Sequence, residues 1–149
     1  MDKKIIQNWN NRVSPDDTVL HLGDFCFKNS EGGKPGEGTT KRAKHYLDQL
    51  NGNIIVVKGN HDGNNSMRTI INHMVIEYAG EEMFLCHDPD DFSQSYKINL
   101  VGHVHTSWKI KKIGRTILVN VGVDAWNYMP INIQEIFKLI EKFKKENKK

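Results

Sequence analysis

Apolar residues in this chain fall in short runs divided by polar and glycine-rich stretches, and their period changes from run to run. Ile5, Ile6, Trp9 and Val13 recur at helical spacing, which predicts a short amphipathic helix before the turn Ser14-Pro15-Asp16-Asp17. Residues 18–22 read as a buried strand. Ala43, Tyr46, Leu47 and Leu50 form the next helical face, with Thr39 and Thr40 available as N-caps and Asn51-Gly52 as the stop. Residues 54–58 are a continuous apolar run of strand length. The two strands and the helix between them predict a βαβ unit whose parallel strands end at a common edge.

The second half is richer in strands. After a helix predicted around 66–73, strands are expected at 74–78, 83–86, 98–101, 108–113 and 116–121, the last two joined by a tight turn at Gly114-Arg115. Asn132 and Glu135 have capping-box spacing and open a helix whose apolar face is Ile136, Leu139, Ile140 and Phe143. No internal repeat and no linker divides the chain, so one α/β domain over residues 1–149 is expected.

Composition narrows the class. With 149 residues, 38% hydrophobic and 26% charged, the chain suits one domain with a single core rather than a disordered or fibrous protein. No apolar run approaches the roughly 20 residues that cross a bilayer, and none of signal type follows Met1. A cytoplasmic protein without membrane contact is expected. Cys26 and Cys86 make neither a disulfide framework nor a zinc pair and read as buried small hydrophobes. The net charge of +3 belongs to the end of the chain, where residues 138–149 carry six lysines and two glutamates. The remainder is slightly acidic, so the lysines read as a solvated helix end rather than a nucleic-acid surface. The glycine-rich stretch 28–38 is not a P-loop, because Thr39 stands where the lysine is required. It reads as a lid over a site or as a surface loop.

Four segments place a metal-capable or acid–base side chain immediately after an expected strand: Gly23-Asp24, Gly59-Asn60-His61-Asp62, Cys86-His87-Asp88 and Gly102-His103-Val104-His105. In open α/β sheets ligands collect at the carboxyl ends of strands, so the four would converge on one crevice. A lone histidine is more often a hydrogen-bonded core residue, and a lone Gly-Asp is more often a turn; the ordered set of four is what points to a metal site. His103 and His105 are two apart and would share one side of an extended backbone, as ligands of two neighbouring ions or of one. Oxygen and nitrogen donors without thiolate suit manganese, iron or zinc better than calcium. Other polar residues have plainer readings. His21, His45 and His73 are expected to pack or face solvent. Asp88, Asp90 and Asp91 form a polar turn around Pro89, with support of His87 as the alternative. Asn120-Val121-Gly122 is a structural turn or a phosphate contact, and Trp126 and Tyr128 are expected to pack in the core, with the lining of a pocket as the alternative.

The ordered set Gly-Asp, Gly-Asn-His-Asp, His, Gly-His-x-His resembles the calcineurin-like metallophosphoesterase family over residues 18–122. The resemblance implies a four-layer α/β/β/α sandwich of two packed sheets flanked by helices. It implies hydrolysis of phosphate mono- or diesters by a metal-activated water, with two divalent ions, of manganese, iron, zinc or nickel, in the intact site. Asp24 would bridge the ions, Asn60, His87 and His103 would complete one of them, and His105 would ligate the other. His61, oriented by Asp62, would lie outside the metal shell, stabilise the transition state and protonate the leaving oxygen. Asn60 and His61 would also contact the substrate. The implied partner is a phosphate-ester substrate; nucleic acid enters only as a substrate class, and oligomeric state is left open.

The family pattern begins with an Asp-x-His on a first central strand, and residues 1–23 contain none. Asp16 and Asp17 precede the expected strand and so lie at its wrong end, about 17 Å from the site. One ion site is complete on paper, whereas the other keeps only Asp24 and His105, so one ion or two is expected. The chain reads as a family member lacking its N-terminal strand. The alternative function is a truncated, catalytically weak or inactive metal-binding or interaction module.

Overall fold

A helix and two short strands open the chain. In the computed structural model, which describes residues 2–23, 43–59 and 69–148, α1 spans Asp2–Arg12, β1 Thr18–His21, α2 Ala43–Leu47 and β2 Asn53–Val56. Trp9 and Val13 are buried, as the helical spacing predicts. The Trp9 indole N–H donates to the Asn51 carbonyl at 2.9 Å, and the Asn51 side chain donates to the Val13 carbonyl at 3.0 Å. These bonds staple α1 to the turn before β2. Gly52 in that turn has φ +96°, and a Cβ there would stand 2.8 Å from Val13 Cγ1.

β1 and β2 pair in parallel from Thr18↔Asn53 to His21↔Val56, and the ladder continues with Val57 N–H donating to the His21 carbonyl at 2.8 Å. The expected parallel pair is therefore present. It is less buried than the apolar runs predict: Thr18 is exposed, Val19, Leu20 and His21 are half-buried, and Ile55 is exposed. Among the described residues this sheet has these two strands. Leu22 and Val57, just past the strands, are buried. The predicted caps Thr39 and Thr40, the stretch 28–38 and Cys26 lie outside the described residues.

The large sheet contains β3 (His73–Tyr78), β4 (Glu81–Cys86), β5 (Ile98–Val101), β6 (Ile110–Ile113) and β7 (Thr116–Asn120) in the order β3-β4-β5-β7-β6. β4, β5 and β7 are mutually parallel, and β5 and β7 are buried throughout, as central parallel strands require. Antiparallel hairpins form both edges. Ala79 and Gly80 both have positive φ in the β3–β4 turn, and Gly114 has φ +60° at the first position of the β6–β7 turn. Such turns match the right-handed twist of the strands.

One face of this sheet, carrying Met83, Leu85, Ile98, Leu100, Ile117 and Val119, shares a core with Leu22 and Val57 of the small sheet and with Ile136 and Ile140 of α3 (Ile133–Glu146). The α3 face is the one its periodicity predicts. Its capping box is formed: Asn132 Oδ1 accepts from Glu135 N–H, and the Glu135 carboxylate accepts from Asn132 N–H. Glu135 also pairs with Arg12, joining α3 to α1. On the opposite face of the sheet, Asn99 is fully buried; its side chain accepts from Ser93 N–H at 2.8 Å and donates to the carbonyls of Ser93 and Tyr96.

Two expected elements differ. Of the helix predicted at 66–73, residues 66–68 lie outside the described residues, 69–72 are not helical, and His73 opens β3. Thr69-Ile70-Ile71 is β-branched throughout and disfavours helix. It runs instead beside β2, where the Thr69 hydroxyl donates to the Val56 carbonyl and Lys58 N–H donates to the Ile71 carbonyl. The strand predicted at 108–113 begins only at Ile110, because the Trp108 carbonyl accepts from the Asn120 side chain instead of joining the ladder.

Cys86 is buried, and burial, followed by the charges of Asp91 and Asp88, pushes its thiol from 9.0 up to about 12. It is thus a neutral packing group, as expected. In a Cys26→Ser background, iodoacetamide at pH 8 should leave Cys86 unmodified in the native protein and label it in denaturant; rapid native labelling would contradict this. Because the folded-state pKa is raised, the associated stability is intact below about pH 9 and is lost as pH rises from there towards 12. Asn132→Ala removes the α3 cap and should cost about 1 kcal/mol, lowering Tm by a few degrees in calorimetry.

Candidate functional site

The carboxyl ends of β1, β2, β4 and β5 meet at one point. Just past β1, Gly23 has φ +94°, and a Cβ there would stand 2.6 Å from Gly59 Cα, 2.7 Å from Gly59 N and 2.7 Å from His87 Nδ1. Only glycine fits both that backbone and that space. His87, immediately after β4, is 6% exposed. Its Nδ1–H donates to the Leu22 carbonyl at 2.7 Å, since a carbonyl can only accept. That bond fixes the tautomer and turns Nε2 towards His103 Nδ1, 3.1 Å away, with the rings edge to face. Two nitrogen lone pairs cannot face each other at this distance unless a proton or a cation lies between them.

The turn after β5 carries the next two histidines. Gly102 N–H donates to the His87 carbonyl at 2.9 Å, which ties this turn to the end of β4. His103 and His105 then take left-handed backbone conformations, with φ +71° and +52°. The expectation that both rings share one side of an extended strand is therefore corrected, because strand alternation ends at Val101. His103 turns to His87, whereas His105 Nδ1 bonds Asp124 Oδ2 at 2.6 Å. Left-handed non-glycine residues cost on the order of 1–3 kcal/mol each and persist where surrounding contacts enforce them.

Asn120 does the enforcing. Fully buried at the end of β7, it donates to the His105 carbonyl at 2.7 Å and to the Trp108 carbonyl at 2.9 Å, and accepts from Gly122 N–H at 3.0 Å. Of its two sequence readings, the structural one holds. Asp88 likewise caps the short 3-10 turn Pro89–Asp91 by accepting from Asp90 N–H. Among the described residues, His87 Nδ1 bonds the Leu22 carbonyl. Trp126 is half-buried and donates to the Asn120 carbonyl, with Lys109 over its ring. Tyr128, expected in the core, is exposed and left-handed, because the turn 126–129 carries it outward. His45 is exposed on α2, and His73 stacks on Phe84 at the start of β3.

Of the residues singled out in the sequence, His87 and His103 are brought together and His105 stands on the adjoining turn. Asp24, Asn60, His61 and Asp62 lie outside the described residues, although Gly23 and Gly59, which precede Asp24 and Asn60, are in contact. Among the described residues no three His, Cys, Asp or Glu side chains form a metal-holding group. Asp124 was not singled out. It follows the end of β7 by four residues, so searching after that strand as after the others would have found it.

The sequence profile of the calcineurin-like phosphoesterase superfamily domain matches residues 2–130. The chain belongs to this superfamily. An uncharacterized protein of Methanocaldococcus jannaschii is 35% identical over 154 residues, covering 97% of this chain and 77% of that protein. A protein of unknown function from Aquifex aeolicus has a similar structure, with TM-score 0.63 and 24% identity over 93% of this chain and 84% of that one. Vps29 from Entamoeba histolytica, determined with Zn2+, matches with TM-score 0.49 and 20% identity, over 82% of this chain and 64% of its own. The two sheets sharing one core are those of a calcineurin-like phosphoesterase fold. Membership supports phosphoester hydrolysis as the general chemistry, and the family generally binds divalent metals.

The histidine pair suits such an ion. Two nitrogens each about 2.1 Å from one ion stand about 3.0 Å apart at a right angle and about 3.4 Å apart at the tetrahedral angle; His87 Nε2 and His103 Nδ1, which are within hydrogen-bond reach of each other, are 3.1 Å apart. The Leu22 carbonyl supplies the outer hydrogen bond that a ligating imidazole takes. No described helix is long and apolar enough to cross a membrane.

Asn120→Ala would leave two carbonyls without their buried donor and open a cavity, costing about 2–3 kcal/mol in denaturant unfolding. Gly23→Ala should force Gly59 and His87 apart. Its signature would be a shift of the His87 and His103 ring resonances in NMR, and unchanged resonances would contradict the close approach.

Proposed function

We propose that this phosphoesterase domain hydrolyses phosphate mono- or diesters in a reaction that requires divalent metal. The observation that carries the reading is the His87–His103 pair, whose nitrogens face one point from the ends of two parallel strands while Leu22 holds the His87 tautomer. In this reading Asp24, Asn60, His87 and His103 hold one ion, and Asp24 and His105 contribute to a second. The donor chemistry suits manganese, iron, zinc or nickel. Bound ions supply positive charge that acidifies a water molecule and neutralises phosphoryl oxygens.

The side chains carry the other duties. Water attacks phosphorus, the bond from phosphorus to the leaving oxygen breaks, and His61 gives that oxygen its proton. An imidazole is well matched to this near neutral pH, and Asp62 orients it. Asn60 and His61 contact the phosphate. Gly23, without a side chain, lets the end of β1 approach Gly59 and the His87 ring.

Purified protein with added manganese or nickel should hydrolyse an activated aryl phosphodiester or monoester and lose the activity in chelator. His61→Ala should lower kcat at least about a hundredfold with metal content retained. Asp24→Asn should lower metal content and rate together. Unchanged rates in both variants would sink the hydrolytic reading, and metal uptake without turnover on either substrate would leave a metal-binding module instead.

A further inference from the structure

We propose that Asp124 is a positioning residue that sets the ring of His105 for metal binding, a role resting on the metal-dependent reading above. His105 Nδ1 and Asp124 Oδ2 are 2.6 Å apart. An ionised carboxylate only accepts, so Nδ1 carries the proton and Nε2 keeps the lone pair. A free imidazole in water favours the other tautomer, with its proton on Nε2. Asp124 reverses that preference and leaves Nε2 as the nitrogen able to ligate. The carboxylate also makes the ring a stronger donor, as outer carboxylates do for ligating histidines.

The backbone of His105 is referenced to the same segment as its ring. Asn120 holds the His105 carbonyl, Gly122 N–H returns to Asn120 Oδ1, and Asp124 sits in the 3-10 turn Val123–Trp126, whose Trp126 indole donates back to the Asn120 carbonyl. One stretch of chain therefore fixes both the left-handed backbone of His105 and the direction of its imidazole. A purely stabilising ion pair explains this poorly. The His105 and Asp124 side chains are 74% and 36% exposed, and exposed pairs contribute little to folding.

The test compares wild type with Asp124→Ala and Asp124→Glu, each checked for native fold by its amide spectrum. Long-range 1H–15N spectra of the metal-free proteins should show His105 protonated at Nδ1 in wild type and at Nε2 in Asp124→Ala, with His87 unchanged. In Mn2+ titrations followed by calorimetry, Asp124→Ala should weaken binding about 10- to 100-fold, and Asp124→Glu should recover part of the loss. The metal-free Tm should move by no more than a few degrees. A wild type that binds Mn2+ beside an Asp124→Ala variant of equal affinity, or of unchanged His105 tautomer, overturns the positioning role alone. A wild type that binds no Mn2+, Zn2+ or Ni2+ overturns the metal reading and this role with it.

Discussion

The hydrogen bond from His87 Nδ1–H to the Leu22 carbonyl joins the two sheets at the edge where the candidate chemistry gathers. Its donor follows β4 of the large sheet, and its acceptor follows β1 of the small one. For the two to meet at 2.7 Å the chain beside the acceptor must have no side chain, which is why Gly23 sits against Gly59 and the His87 ring. The same bond decides which His87 nitrogen is available. Sheet docking, glycine placement and imidazole tautomer are thus three aspects of one contact.

Two buried asparagines carry a second theme. Asn99 within β5 and Asn120 at the end of β7 are buried among apolar neighbours, and each spends its amide on backbone groups of a nearby loop: residues 93–96 for Asn99, and the His105 and Trp108 carbonyls for Asn120. An unpaired amide in the interior would be costly, so such residues hold their loops in one arrangement. The loop fixed by Asn120 is the one that bears His103 and His105. Rigidity in the core is thereby passed to a turn that would otherwise relax out of its left-handed conformation.

Much of this was legible in the sequence. The faces of α1 and α3, the capping box, the parallel β1–β2 pair and the strand-end placement of His87 and His103 all follow from periodicity and from the rule that ligands gather at carboxyl ends. What escaped depends on groups that periodicity does not register. The relation between His103 and His105 was read from strand alternation, which stops one residue before Gly102. Asn120 looks like a strand terminus until its three amide contacts are seen, and they are to residues 2 to 15 positions away. Residues 69–72 fall within the helix expected around 66–73, but the β-branching of Thr69, Ile70 and Ile71 and their bonds to β2 and the residues after it hold them out of a helix.

The glycines divide the molecule into two kinds of end. At Gly23 both the backbone and the surrounding space exclude any side chain, whereas at Gly80 and Gly114, in the hairpin turns at the opposite ends of the strands, a Cβ would meet nothing within 4 Å. Only backbone conformation favours glycine at those two turns. Lengthening a hairpin there would add chain to open solvent roughly 20 Å along β4 from His87. At position 23, by contrast, any added side chain would meet Gly59 and His87, so chain can be added at the two turns without reaching the histidines.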